Sequence, residues 1–322
     1  MAFHMDNKAE ISRIEDINIE GVGRITLKKL VNAGYSIELL VTLPPQVIAR
    51  EAKINVKKAI LISEYVRKAY FGEVKNFVTA KELMDRRKNV LRISTGSNTL
   101  DELFLGGVET QAVTELVGEF GSGKTQLCHQ LAVMVQLPVE EGGLEGKAIY
   151  VDTEGTFRPE RIIQIAEYRG LDPRKALRNI NYGRARSLGE LLAMLSEVET
   201  LARKGFKLLV VDTVASIYRV EGVDRVGRIL ALRKLAFFAS ELARIAVKHG
   251  LAVVVANQIV SVPGRGQRPA GGVFLEAYVG SVVELRRLRG RLRMARVIRC
   301  RNPILEGASC RLQISDVGVL DV

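Results

Sequence analysis

The chain has 322 residues, of which 47% are hydrophobic and 26% charged, with a net charge of +12 and no tryptophan. That length suffices for one large core and a small second domain. The apolar runs are too short and interrupted for a transmembrane helix, and MAFHMDNKAE has no basic stretch leading into an apolar one, so no secretory signal is expected.

Cys128, Cys300 and Cys310 are odd in number and lack metal-ligand spacing, which fits small core thiols in a reducing cytoplasm. Residues 10–70 read as short amphipathic helices. ISRIEDI, RITLKKLVNAG, SIELLVT, PQVIAREAK and NVKKAILISEYVRKAY carry apolar residues at three- and four-residue steps. Residues 71–90 are polar and charged around one aromatic island and read as a linker entering a charged helix. From Leu91 onward the β-branched runs AVTELVG, KAIYVDTE, KLLVVDTV and LAVVVANQ alternate with helical stretches. This implies an α/β core over 91–322, a largely parallel sheet with helices on both faces. The tail segments SVVELRRL, MARVIRC and RLQISDVGV read as strands joined by tight turns, one at Arg289–Gly290–Arg291. Charge is uneven: residues 1–85 hold thirteen basic and eleven acidic side chains, whereas 284–301 hold eight arginines against one glutamate. That run points to a polyanion as partner.

GEFGSGKT, Gly118–Thr125, matches G-x-x-x-x-G-K-[ST] between the strand TELV and the helix QLCHQLAVMVQ. In such a loop the backbone N–H groups of Gly118, Glu119, Phe120, Gly121, Ser122 and Gly123 curl around phosphate oxygens. The helix N-terminus, running on through Gln126, adds its positive end. Lys124 would reach the β- and γ-phosphates and Thr125 would offer its hydroxyl to Mg²⁺. Asp212, ending LLVVD, fits a Walker B carboxylate in the Mg²⁺ shell. Asp152 and Glu154 end IYVDTEG; strand alternation places both on one face, and either could activate the attacking water. Asn257 and Gln258 end the strand LAVVVANQ, where an amide can hydrogen-bond a γ-phosphate or that water. The loop that follows, with Arg265, Arg268, Gly271 and Gly272, would move with nucleotide state.

The runs RISTGSNTLDELFLGGVETQAVTELVGEFGSGKTQLCHQLAVMVQLP and IYVDTEGTFRPERI, with the small helical domain before them, resemble the archaeal RadA recombinases of the RecA superfamily over almost the whole chain. Within that domain IEGVGRITLKKLVNAGY looks like a helix-hairpin-helix, with Gly21 and Gly23 in a hairpin whose N–H groups would face a DNA phosphate. The resemblance implies a RecA-like P-loop ATPase core at 91–322, a small all-α DNA-binding domain at 1–70, and an oligomerisation linker at 71–90. It implies an ATP- and Mg²⁺-dependent enzyme that forms filaments on single-stranded DNA, exchanges strands with duplex DNA, assembles head to tail in filaments or rings, and meets recombination mediators in the nucleoid. It selects Glu154 over Asp152 as base, makes Gln258 the γ-phosphate sensor and sets Arg161 near the adenine. It gives Phe77 and Ala80 of NFVTA a docking role on the next subunit.

The sequence also departs from that family. Arg219 and Arg225 keep the basic character of a first DNA loop, but the usual Arg-Gln-Gln is Ala231–Leu232–Arg233. The second loop is short, with Val273 where a histidine is expected. In RCRNPILEG, Arg299 or Arg301 stands where an acidic cap belongs, and could contact a neighbour's γ-phosphate as a finger in trans. Two readings stay open: an active recombinase, or a paralog that binds ATP and DNA and regulates another recombinase's filament. A hexameric helicase is disfavoured by the N-terminal domain and FVTA.

Overall fold

The computed structural model describes residues 13–71, 78–221, 225–262, 266–269 and 273–322. Contacts divide the chain into two units, Met1–Asp85 and Arg86–Val322.

In the first unit the apolar periodicity becomes α1 (Arg24–Asn32), α2 (Ile37–Thr42), α3 (Pro45–Glu51) and α4 (Val56–Phe71). Local chemistry sets the breaks. Gly34 takes φ +76° after α1, Ser36 caps α2 by accepting from Leu39 N, and Pro45 opens α3 where its missing N–H costs nothing. Leu30, Leu40, Ile48 and Ile62 are fully buried between these helices. ISRIEDI departs from its expected helix: among the described residues it forms only a 3₁₀ turn at Ile14–Asp16. Buried Ile14 and Ile17 lie three apart, which suits a three-residue turn, and β-branching disfavours a longer α-helix. The charged helix α5 (Ala80–Arg87) buries none of its residues. It is started by a capping box in which Glu82 N donates to Thr79 Oγ1 and Thr79 N to Glu82 Oε2.

The second unit opens with a small antiparallel pair, β1 (Arg92–Ile93) and β2 (Val108–Glu109), flanking α6 (Asn98–Leu103). Then come β3 (Ala112–Gly118), α7 (Lys124–Met134), β4 (Lys147–Asp152), α8 (Pro159–Tyr168), α9 (Pro173–Arg178), β5 (Ile180–Arg184) and α10 (Leu188–Ala202). After these follow β6 (Phe206–Asp212), α11 (Val214–Glu221), α12 (Arg225–His249), β7 (Ala252–Val262), β8 (Gly266–Pro269) and α13 (Val273–Glu276). The tail forms β9 (Ser281–Arg287), β10 (Leu292–Arg299), β11 (Ser309–Ser315) and β12 (Gly318–Asp321).

The sheet runs β12-β11-β10-β9-β3-β7-β6-β4-β5. Pairing is parallel from β9 through β5 and antiparallel from β9 through β12. Helix α7 packs on one face, against Leu116, Tyr150, Val210 and Val254, while α10 and α12 cover other strand surfaces. The expected turn in the arginine-rich tail lies between β9 and β10, where Gly290 takes φ +61°. The carboxylate of Asp321 in β12 caps α6, accepting from Ser97 Oγ, Asn98 N and Thr99 N. Among the described residues no helix is long and apolar enough to cross a membrane.

Candidate nucleotide site

The carboxyl ends of the parallel strands frame a cavity of about 600 Å³, where open α/β sheets bind ligands. Its floor is the loop from β3 to α7. Gly123 caps α7 with φ +106°, a left-handed conformation that favours glycine, and a Cβ there would crowd the Ile314 terminal methyl at 2.9 Å. The Lys124 ammonium lies over the loop, donating to Gly118 O at 2.8 Å and Glu119 O at 2.9 Å. Burial lowers its pKa, and Asp212 opposes that shift. Phe120, Gly121, Thr125, Gln126 and Arg161 also line the cavity. Gln126 Oε1 accepts from Arg161 Nε at 2.7 Å, and Arg161 donates further to the carbonyls of Ser315 and Asp316. Arg161 therefore ties the end of the phosphate-loop helix to the β11–β12 turn.

The acidic residues separate by role. Strand β4 ends at Asp152, so alternation does not carry to Glu154, and the shared face expected from IYVDTEG is corrected. Asp152 is fully buried and accepts from Glu154 N (2.9 Å), Gly155 N (2.7 Å), Phe157 N (3.0 Å) and Tyr182 Oη (3.3 Å). It shapes the loop that carries Glu154. Glu154 itself lines the cavity, and its Oε1 accepts from Gln258 Nε2 at 2.8 Å. Asp212 is buried below, accepting from Tyr150 Oη at 2.7 Å. Burial raises its pKa, while hydrogen bonds from Tyr150 and Thr125 pull it down.

The amide pair also separates. Gln258 faces the cavity, whereas Asn257 is fully buried and donates through Nδ2 to Glu115 Oε1 at 2.6 Å. Nor does the strand end there: β7 continues to Val262 and pairs antiparallel with β8, Val260 opposite Arg268. The glycine–proline–arginine segment is thus in part a β-hairpin, because IVSV after Gln258 keeps strand propensity and Pro269 sits at the hairpin's end.

Several contributors escaped the sequence reading. Tyr150 lies two residues before Asp152, on the strand beside Asp212. His129, one turn into α7, contacts Thr125 O through Nδ1 at 2.7 Å and accepts Arg158 N at Nε2 (3.1 Å). That pairing requires the Nδ1–H tautomer, and burial drives the ring pKa down to about 4. Its ring stacks on Phe157, 5.2 Å between centroids. Arg293, one of the eight arginines of the basic run, lines the nucleotide cavity.

The sequence profile of the Rad51 family matches residues 86–322. The chain belongs to the Rad51 family. Among relatives of this Rad51-family chain is the DNA repair and recombination protein RadA of Metallosphaera sedula, 39% identical over 100% of this chain and 99% of that protein. Another is the DNA repair and recombination protein RadA of Aeropyrum pernix, 40% identical over 98% of this chain and 99% of that protein.

The remaining positions that the resemblance singles out fall on other elements of this Rad51-family chain. In the first unit Gly21 takes φ +83° and Gly23 caps α1. Ala80 opens α5 and is exposed; Phe77, Arg265, Gly271 and Gly272 lie outside the described residues. Arg219 falls in α11, Arg225 opens α12 and Arg268 lies in β8, with their side chains outside the description. Arg299 Nη2 donates to the carbonyls of Glu276 and Val279, and Arg301 pairs with Glu109 at 2.9 Å.

Proposed function

We propose that this Rad51-family chain is an ATP-hydrolysing DNA recombinase that assembles on single-stranded DNA and exchanges strands with a homologous duplex. The names of the relatives at 39% and 40% identity support the DNA role. The catalytic reading rests on one observation above others: Gln258 Nε2 donates to Glu154 Oε1 in the cavity that also holds Lys124, Thr125 and Asp212.

Glu154 takes a proton from the attacking water as the water oxygen bonds the γ-phosphorus and the bond to the β–γ bridging oxygen breaks, leaving ADP and phosphate. Gln258 orients that carboxylate and reports the γ-phosphate. Lys124 stabilises the charge that builds on the phosphoryl oxygens. The hard oxygens of Asp212 and Thr125, already in mutual contact, fit Mg²⁺. Mg²⁺, when bound, supplies charge neutralisation on the phosphates. Asp152 and His129 hold the loop bearing Glu154.

DNA meets the chain at the β7–β8 hairpin, directly after the γ-phosphate sensor, with Arg265 and Arg268 as phosphate contacts, and at the Gly21–Gly23 hairpin of the first unit. Assembly uses Phe77 and Ala80 against the next subunit, whose strand β5 forms one edge of the sheet. A trans contact to a neighbour's γ-phosphate falls to Arg301, exposed and held by one ion pair, rather than to Arg299, which two carbonyls anchor. Strand exchange by the purified protein, between a single-stranded circle and its linear duplex with ATP, is the test. Joint products are expected; filaments without products would assign a regulatory role instead.

A further inference from the structure

A carboxylate stands inside the apolar sheet, on the face opposite the Gln258 side chain. Glu115 of β3 is fully buried, and its Oε2 has no hydrogen-bond partner. β3 and β7 run parallel with Val117 opposite Asn257 and Gly118 opposite Gln258. Alternation then puts Glu115 and Asn257 on one face and Gln258 on the other. Glu115 Oε1 accepts from Asn257 Nδ2 at 2.6 Å, and Asn257 Oδ1 accepts from the backbone N of Gln258 at 2.9 Å. At this residue β7 leaves its parallel partners, since its register with β6 ends at Ala256 and that with β3 at Gln258. The Asn257 side chain thus holds the backbone where the ladder stops, and Glu115 holds Asn257. Beyond it Gln258 Nε2 reaches Glu154.

We propose that Glu115 is a positioning residue for ATP hydrolysis, acting through Asn257 to fix the backbone of Gln258 and so the amide that orients Glu154. This rests on the catalytic reading of the cavity. A buried carboxylate is costly to keep in an apolar sheet, and replacing a buried polar pair, here Glu115 with Asn257, by apolar residues is often neutral or stabilising. Stability therefore does not account for Glu115. Burial pushes its pKa up to about 7, and Glu276 adds to this, while the Asn257 hydrogen bond and Arg299 oppose it.

The test compares ATP turnover, affinity for a fluorescent ATP analogue and thermal unfolding in the full chain. Glu115→Leu removes a costly buried carboxylate but also takes from Asn257 Nδ2 its acceptor; it is expected to lower kcat about ten-fold, with analogue affinity within about two-fold and a fall in melting temperature of a few degrees at most. Glu115→Gln keeps an acceptor for Asn257 Nδ2 and is expected to restore kcat to within about two-fold of the parent. In a Gln258→Ala background, Glu115→Leu is expected to have no further effect, as required of residues acting in series. Additive losses would overturn the inference. Should Glu115→Leu not fold, Asn257→Val goes through the same cycle with the same expectations for kcat and analogue affinity, and with a lower melting temperature, since it leaves the buried Glu115 carboxylate without that hydrogen bond. Parental kcat in Glu115→Leu beside a reduced kcat in Gln258→Ala overturns the relay alone. Parental kcat in Gln258→Ala overturns the catalytic reading and the relay with it.

Discussion

Replacing Asp152 by Asn separates a structural carboxylate from a catalytic one. The carboxylate accepts from three backbone N–H groups and from Tyr182 Oη. An amide keeps Oδ1 on Glu154 N and Gly155 N but turns an NH₂ toward Phe157 N, leaving that donor unpaired. The unpaired donor costs about 1–3 kcal/mol, and the retained bonds lose their charge assistance, for a total of about 2–4 kcal/mol. For a unit the size of Arg86–Val322 each kcal/mol lowers the melting temperature by about 2–4 °C, so a fall of roughly 5–15 °C is expected. Hydrolysis should weaken as the loop loosens. Glu154→Gln is isosteric and leaves these bonds alone. It should melt with the parent and bind ATP, yet hydrolyse it at least about 100-fold more slowly. Calorimetry, nucleotide titration and phosphate release on both variants decide the matter. If Asp152→Asn melts like the parent and is as inactive as Glu154→Gln, Asp152 is the base and the assignment is wrong.

Other expectations follow from neighbouring contacts. Tyr150→Phe removes the hydroxyl that orients Asp212, and should raise the Mg²⁺ concentration for half-maximal turnover by about ten-fold, read by a magnesium titration. Burial pushes the Glu199 carboxyl up, but Arg244 and Lys248 outweigh it and bring it down to about 2 from 4.5. Its contribution to stability, about 1–2 kcal/mol after solvent screening, is therefore full above pH 4.5 and lost as pH falls toward 2. Glu199→Gln should flatten acid unfolding curves across that window. Phe77→Glu should yield monomers that still bind nucleotide, and unchanged light scattering would refute the docking role.

The legible parts of the molecule were those whose signal lies along the chain. β3, β4, β6 and β7 are central strands, so their cores are continuous β-branched runs. The phosphate loop is written in consecutive residues. β5, INYGR, was missed because it is an edge strand, largely exposed, with an asparagine and a glycine that lower strand propensity. What pairs across strands was less legible. Nothing in IYVDTEG tells that Asp152 turns onto its own loop, or that Tyr150 serves a carboxylate 62 residues later. Arg293 was hidden by its neighbours: the run of eight arginines was read together as facing a polyanion, and only Arg299 and Arg301 stood out from it.

The order of the sheet bears on how the chain is made. β3 carries the phosphate loop, yet both its partners, β7 and β9, come from residues 252–287. The start of α6 likewise waits for the Asp321 carboxylate, 224 residues beyond Ser97. At about 5–20 residues per second, the roughly 160 residues between β3 and β9 take on the order of 8–30 s to synthesise. Until β7 is made a nascent chain holds the largely apolar strand VTELV with both edges unpaired, and until β9 is made with one, a ready template for wrong association. The central strand of the fold is thus among the first made and the last enclosed, and a ribosome-bound fragment ending before Ser281 should be held by chaperones rather than fold.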